Sequence, residues 1–242
     1  MNEFITTIAD IKAKQYIVER DAFFSEREVM YTENDLFPFR MISFGSTTAI
    51  SGRKAILNAL KEKLDPELEG KELFDAPWLC VIGEVLKPHG LMLSEINDYY
   101  VPEESMACCV KEFDGRFSLK RMAKEEILAM KDLKKYDNAL CQGEAASINE
   151  FAYAAMDRGT IVSIAGISSN SEKIWWVGVD TEKSHRKKGL ASALVAKVAA
   201  EAIEIGRIPV YVTWYSNIAS RKTALRAGFL PGFVEIECEE IS

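Results

Sequence analysis

Ile174-Trp175-Trp176-Val177-Gly178-Val179 leads into Asp180-Thr181-Glu182-Lys183-Ser184-His185-Arg186-Lys187-Lys188-Gly189-Leu190-Ala191, an apolar strand followed by a basic loop that closes on a glycine. Behind the loop, Leu190, Leu194, Val198, Ala202 and Ile205 recur at helical spacing, and Gly206 is a suitable stop. Strand, loop and helix start make an anion site, because unpaired amide N–H groups and the positive end of the helix dipole face whatever lies in front of them. A pyrophosphate fits such a site. Gly189 matters because a side chain at the closest approach would hold phosphate oxygens off the amides, and Ala191 keeps the next turn thin. Lys183, Arg186, Lys187 and Lys188 concentrate positive charge here, although a basic run by itself is usually only solvated surface.

That cluster stands in an acidic chain: 30 basic against 37 acidic residues give a net charge of -7, which repels phosphate backbones at long range, so no nucleic-acid partner is expected. The 242 residues suit one large domain or one domain with a smaller companion, and 48% apolar with 28% charged residues exclude wholesale disorder and fibrous repeats. Apolar runs such as Ile208-Pro209-Val210-Tyr211-Val212 fall far short of the roughly 20 residues of a membrane span, so no membrane partner is expected. Met1-Asn2-Glu3-Phe4 opens without the basic and apolar regions of a secretory signal, which predicts a cytoplasmic protein. Cys80, Cys108, Cys109, Cys141 and Cys238 show no C-x-x-C spacing and are expected to be reduced core thiols. His89 and His185 are the only histidines, too few for a multi-histidine metal site, and no metal is expected.

The first hundred residues suggest mostly helices with short extended pieces. Ser51 is placed to cap a helix through Ile56, Leu57, Leu60 and Leu64 that ends at Asp65-Pro66, and Leu73, Trp78, Leu79, Val81, Ile82 and Val85 mark a second. Core packing accounts for these residues. Gly45 to Lys54 is not a phosphate loop, since six residues separate Gly45 from Gly52 where that motif has four, and Ala55 follows the lysine. Further on, Ala107 to Phe113 and Phe117 to Met122 suggest a hairpin around Asp114-Gly115, then a helix through Ile127, Leu128, Met130 and Leu133. Phe151 to Met156 and Thr160 to Ser168 form a second hairpin, with Gly159 supplying the left-handed turn residue.

The hexad Arg186-Lys187-Lys188-Gly189-Leu190-Ala191 resembles the acyl-CoA signature of the GNAT N-acetyltransferase superfamily, an Arg or Gln, two residues, Gly, one residue, then Gly or Ala. A strand over Ile208 to Trp214 follows, and Asn217, Ser220, Gly228 and Phe229 resemble the second signature of that superfamily, an Asn-initiated helix ending in Gly-Phe. The resemblance covers roughly residues 106 to 242, and it is similar to a subgroup with an extra N-terminal half. It implies an α/β fold with a mixed sheet: a GNAT acetyltransferase domain over 106–242, and a smaller, largely helical α/β module over 1–105 on the acceptor side. Ser46-Thr47-Thr48 and Tyr99-Tyr100 are the stretches of that module expected to face an acceptor groove, with turn and surface roles as the plainer alternatives.

What the resemblance implies is transfer of an acetyl group from acetyl-CoA, a cosubstrate, to the amine of a small molecule by direct attack in a ternary complex. A homodimer is left open. Val177 and Val179 are expected to pair with the pantetheine arm, Arg186, Lys187, Lys188, Gly189, Leu190 and Ala191 to hold the pyrophosphate, and Asn217 and Ser220 to stand beside it. Arg221 and Lys222 are in reach of a 3'-phosphate, and Trp175 and Trp176 alternate faces, one toward the core and one toward the acceptor. Two positions depart from the superfamily pattern: Lys183 replaces a frequent proline, and Ala224 replaces the tyrosine that in many members protonates the leaving thiolate. Tyr215 is the candidate substitute acid, with a strand-end packing role as its alternative. Glu172 and Asp180 are the candidate carboxylates for removing the amine proton, against a hairpin-turn role for Glu172 and a loop-capping role for Asp180. A catalytically weak or inactive CoA-binding protein of the same fold is the alternative reading favoured by Ala224. A nucleotide-binding module is disfavoured because the loop lacks both Walker and dinucleotide glycine spacing.

Overall fold

The computed structural model describes residues 2–25, 28–106 and 115–241. In chain order the elements are α1 (Glu3–Tyr16), β1 (Val29–Glu33), β2 (Phe39–Ser43), β3 (Thr48–Gly52), α2 (Lys54–Lys63), α3 (Ala76–Leu86), β4 (Leu91–Leu93) and β5 (Asn97–Pro102). They continue with β6 (Ser118–Ala123), α4 (Lys124–Leu128), β7 (Asn149–Asp157), β8 (Thr160–Ser168), β9 (Ile174–Thr181), α5 (Leu190–Glu204), β10 (Ile208–Trp214), α6 (Ile218–Ala227) and β11 (Phe229–Glu240). The strands form one mixed sheet ordered β1-β3-β2-β11-β5-β10-β9-β8-β7-β6, with β4 pairing the end of β11. No helix among the described residues is long and apolar enough to cross a membrane.

Side-chain alternation along the strands feeds two faces. Trp175, Val177, Tyr100, Tyr211 and Phe229 pack under the apolar stripe of α5 (Leu190, Leu194, Val195, Val198) and under Ala224 and Ala227 of α6. At the far end of the sheet, Phe39, Met41 and Ile50 pack under Ile56, Leu60, Ile82 and Val85 of α2 and α3. The opposite face is covered by α1, whose Ile8, Ala9 and Ala13 meet Val101, Val210 and Phe233. Beside it a crossing segment, Tyr136 at the end of a short 3-10 turn and then Ala139 and Leu140, packs on Ala152, Ala154 and Ile164. The mixed α/β architecture is therefore the one the sequence implied.

Several local expectations are corrected. Ser51 is not a cap: it lies within β3, its hydroxyl buried without a hydrogen-bond partner, and Arg53 holds the N-cap position of α2. The helix expected through Leu133 ends at Leu128, because the apolar residues beyond it face the sheet as a crossing segment and not one side of a helix. Of the hairpin expected around Asp114-Gly115, only the second strand, β6, is described, and Ala107 to Phe113 lie outside the described residues. Cys80 is exposed, and Cys141 and Cys238 are partly so, rather than core thiols. The hairpin turning at Gly159 (φ 82°) and the stop at Gly206 (φ 74°) form as expected.

The sheet does not break at residues 105/106. Strand β5 lies between β10 and β11, antiparallel to both, with Tyr100 opposite Tyr211 and Tyr99 opposite Phe233. Beyond β5, β11 runs on to pair with β2, Val234 to Ser43 and Ile236 to Met41. Among the described residues, β10 and β11 thus do not pair with each other, and the strand that joins them comes from the N-terminal hundred.

The chemistry is placed by one irregularity. Parallel strands β9 and β10 pair only from Ile174–Ile208 to Val177–Tyr211. Past that point β9 stays with β8 as far as Thr181, while β10 stays with β5 as far as Trp214, so the two diverge and leave the edge of β9 beyond Val177 open to a cleft lined by Gly178 and Val179.

Candidate active site

The cleft opens into a cavity of about 1380 Å³ whose walls are β9, β10, the starts of α5 and α6, and the crossing Asp137–Cys141. Gly189 sits at the N-cap of α5 with φ 79°, the left-handed geometry glycine adopts without strain, and an added Cβ there would point into open space. The loop before it also holds Lys187 at φ 63°. The first amides of α5 have no partner within the helix and face the cavity with Leu190, Ala191 and Ser192. Arg186, Lys187, Lys222 and Arg226 bring positive charge to the same wall, so the electrostatics suit a polyanion at this end.

Of the residues expected to hold the cofactor, Val177, Val179, Arg186, Lys187, Gly189, Leu190, Ala191, Asn217 and Ser220 all line the cavity. Lys188 does not, and its Nζ lies 5.7 Å above the Phe117 ring. Asn217 caps α6, its Oδ1 accepting from the Ser220 amide at 3.1 Å, so both roles weighed for it, cap and cavity wall, are present together. Arg186 Nε donates to the Thr181 carbonyl at 3.2 Å, which steadies the loop. Lys222 reaches the cavity, whereas Arg221 turns away from it to Tyr100 (2.9 Å) and Asp98 (3.0 Å).

The three candidate catalytic residues fare differently. Glu172 stands exposed in the turn before β9, at the end of the strand away from the cleft, and its carbonyl accepts from Arg207 at 2.8 Å. Asp180 lines the cavity, but its carboxylate accepts from the amides of Asn138 and Ala139, both at 2.9 Å, and from Asn138 Nδ2 at 2.8 Å. Those bonds tie the Asp137–Cys141 crossing onto β9, the loop-capping role. The crossing lies so close that an added Cβ at Gly178 would stand 1.9 Å from the Asn138 carbonyl oxygen, and one at Gly166 2.4 Å from that of Ala139. Tyr215 is 60% exposed, beyond the end of β10, with its ring 5.2 Å from the Arg221 guanidinium and outside the residues lining the cavity.

Residues the sequence did not single out complete the site. Tyr211, at the vertex where β9 and β10 part, is buried, lines the cavity and places its hydroxyl 2.8 Å from Ser220 Oγ. Burial pushes its phenol above the ordinary range, and the Asp180 charge adds to that, while the Ser220 bond opposes it. His185 also lines the cavity, with Nε2 3.2 Å from Asp157 Oδ2 and Nδ1 3.0 Å from Ser184 Oγ. On the face away from α5, Trp176 (44% exposed) and Trp214 (57% exposed) flank the opening, while Trp175 is buried, so the two adjacent tryptophans do alternate. Among the described residues, Asn97 is the one lining residue drawn from the first 105. Thr47 and Thr48 instead bond the carbonyls of Ser25 and Gly70, and Tyr99 stacks on Phe233 at 4.3 Å.

A mixed sheet parted between two parallel strands, with a glycine-led helix start at the opening, is the frame on which the site is built. The family model for GNAT acetyltransferase matches residues 77–231, and the chain belongs to that family. The match begins well before residue 106, in keeping with the placement of β5. Among solved structures, a GCN5-related N-acetyltransferase from Kribbella flavida is similar at 20% identity and TM-score 0.50, over 66% of this chain and 63% of that one. A GCN5-related N-acetyltransferase-like protein from Streptococcus suis 89/1591 is similar at 18% identity and TM-score 0.47, over 68% and 69%. A third, AAC(6')-Iy in complex with the bisubstrate analogue CoA-S-monomethyl-acetylneamine, is similar at 19% identity and TM-score 0.38, over 48% and 92%. The matched region spans about two thirds of the first two structures. No curated protein matches the sequence.

Proposed function

We propose that this protein transfers an acetyl group from acetyl-CoA to an amine of a small molecule, both reactants being bound together and the amine attacking the thioester directly. The observation that carries the reading is the cleft itself: strand edges open to a pantetheine arm run straight to unpaired amides and four cationic side chains suited to a pyrophosphate. Val177 and Val179 pair with the arm, Arg186, Lys187 and the amides from Gly189 to Ala191 hold the pyrophosphate, and Asn217 and Ser220 stand alongside. The acceptor enters from the opposite face, between Trp176 and Trp214, where Asn97 is the contribution of the N-terminal 105 residues.

Positioning is the larger part of such catalysis. Holding amine and thioester in attack geometry supplies roughly 7 to 11 kcal/mol, against roughly 3 to 5 kcal/mol from one general acid or base. The amine must shed a proton to attack, since at pH 7 only about 0.04% of a group with pKa near 10.4 is neutral. With Asp180 engaged by the crossing loop and Glu172 at the far end of β9, that proton leaves through water in the cleft. The test is titration of acetyl-CoA by calorimetry, followed by free-thiol release against a panel of arylalkyl amines, polyamines and amino sugars. Acetyl-CoA binding with amine-dependent release supports the reading. Binding without release from any amine identifies the protein as a CoA-binding regulator instead, and no binding refutes both.

A further inference from the structure

We infer that Tyr211 is the residue that hands a proton to the departing thiolate, with Ser220 holding its hydroxyl in place, an inference that rests on the acyl-transfer reading above. In the acyl-transfer reading the thioester lies at the vertex of the cleft, and Tyr211 is the last residue of β10 paired with β9, opposite Val177. A phenol has one proton and two lone pairs, so when Ser220 O–H donates to Tyr211 across 2.8 Å, the phenolic hydrogen is free to point into the cavity. Burial raises the phenol above its ordinary range, so at neutral pH it is a donor and not a base.

Two alternatives are excluded by placement. Position 224 is a fully buried alanine in the same cluster as Tyr211 and Phe229, and Tyr215 lies outside the cavity. The charged and titratable groups around Tyr211 are Asp180 from β9 and Tyr100 opposite it on β5, the latter backed by Arg221 of α6 and Asp98. Leu190 and Leu194 of α5 share its apolar cluster, and from β11 comes the Phe229 ring at 6.0 Å. In the step itself, the amine nitrogen bonds to the carbonyl carbon, the C–S bond breaks with its electron pair going to sulfur, and sulfur takes the Tyr211 proton. The phenolate regains a proton from solvent, balancing the one the amine nitrogen releases.

Tyr211→Phe keeps the ring and removes only the hydroxyl. The expected result is a fall in kcat of about 100-fold, with the Kd for CoA unchanged within about twofold. With the selenoester analogue of acetyl-CoA, whose selenolate leaves without a proton, the deficit shrinks to about threefold or less. Ser220→Ala gives a smaller loss of about tenfold by freeing the phenol. Independently of any acceptor, the thiol of bound CoA, followed by thiolate absorbance, ionises about one pH unit higher in Tyr211→Phe because a donor to the thiolate is gone. Equal deficits with thioester and selenoester, full activity in Tyr211→Phe, or identical thiol titrations overturn the inference while leaving CoA binding intact. If CoA does not bind at all, the acyl-transfer reading and this inference fall together.

Discussion

Gly178→Ala is the substitution whose cost the structure fixes best. The new methyl carbon would lie 1.9 Å from the Asn138 carbonyl oxygen, 3.0 Å from its carbon and 3.2 Å from Ala139 Cα. A relaxed C···O contact is about 3.3 Å, so the crossing segment must retreat by about 1.4 Å. The Asp180 bonds to Asn138 and Ala139, 2.8 to 2.9 Å long, would stretch to about 4.3 Å and cease to be hydrogen bonds. Because these groups regain water when they part, each bond is worth about 0.5–1.5 kcal/mol and not its full charge-assisted value. Together with loosened packing at Leu140, the total comes to about 2–4 kcal/mol. For a chain of this size that lowers Tm by about 5–15 °C. Thermal unfolding followed by circular dichroism measures it, with Gly83→Ala in α3 as the counter-case. There an added Cβ meets nothing within 4 Å, so helix propensity alone raises Tm by a few degrees, about 0.5–1 kcal/mol. Asp180→Ala removes the same bonds, so its cost and that of Gly178→Ala should not add. A Gly178→Ala protein with Tm within about 2 °C of the parent, or strict additivity in the double variant, refutes the reasoning.

Gly189→Val must take a β-branched residue to φ 79° and crowd the anion site, so it abolishes acetyl-CoA binding measured by calorimetry while lowering Tm by only a few degrees. Arg186→Ala weakens acetyl-CoA by about 1–3 kcal/mol, roughly 5- to 150-fold, and retained parental affinity in both variants sinks the loop assignment. Trp176→Ala and Trp214→Ala raise the acceptor KM by about tenfold or more with acetyl-CoA affinity unchanged, and a shift in acetyl-CoA affinity alone would move both indoles to the cofactor side. A fragment of residues 106–242 should fail to fold by circular dichroism and hydrogen exchange, since without β5 the facing backbones of Tyr211–Trp214 and Phe229–Glu235 lose their partners. A soluble, cooperatively unfolding fragment contradicts it.

What could be read in the sequence was what is local in it. β9, the Arg186–Ala191 loop, α5 and the Asn217 cap are encoded by neighbouring residues, and they lie where their periodicity and spacing put them. The crossing over β8 and β9 is encoded by contacts at a distance: Gly166 and Gly178 are glycine because Ala139 and Asn138 lie on them, and neither position carries a turn signal of its own. The same distance hid Tyr211. Nearness to Asn217 in the chain favoured Tyr215, but β10 ends at Trp214, and the next residue leaves the sheet for the surface. Strand parity held a usable signal, since Tyr211 stands opposite Val177, itself a residue of the cleft.

The division of labour between the halves of the chain follows from the sheet rather than from the signatures. The two signatures lie within residues 186–229, which makes the second half seem self-sufficient, yet a strand pairs on both edges with whatever backbone is brought to it. Here β5 fills the gap between β10 and β11, and the chain then commits further. Glu235, buried on the continuation of β11, accepts from Lys12 at 2.7 and 2.9 Å and from the Tyr16 hydroxyl at 2.8 Å, both on α1. A buried carboxylate stripped of such partners costs about 3–5 kcal/mol, so α1 is fastened to the last strand by a requirement and not merely by apolar contact. The row Trp214, Asn97, Glu235 crosses β10, β5 and β11 on the α1 face. At one end of that row is the Trp214 indole at the cavity opening, at the other the carboxylate anchoring α1, and between them Asn97 is the only described residue of the first 105 that lines the cavity. An effect of the N-terminal segment on acceptor choice must therefore pass through the placement of β5, the strand that also sets the course of β10 at the vertex.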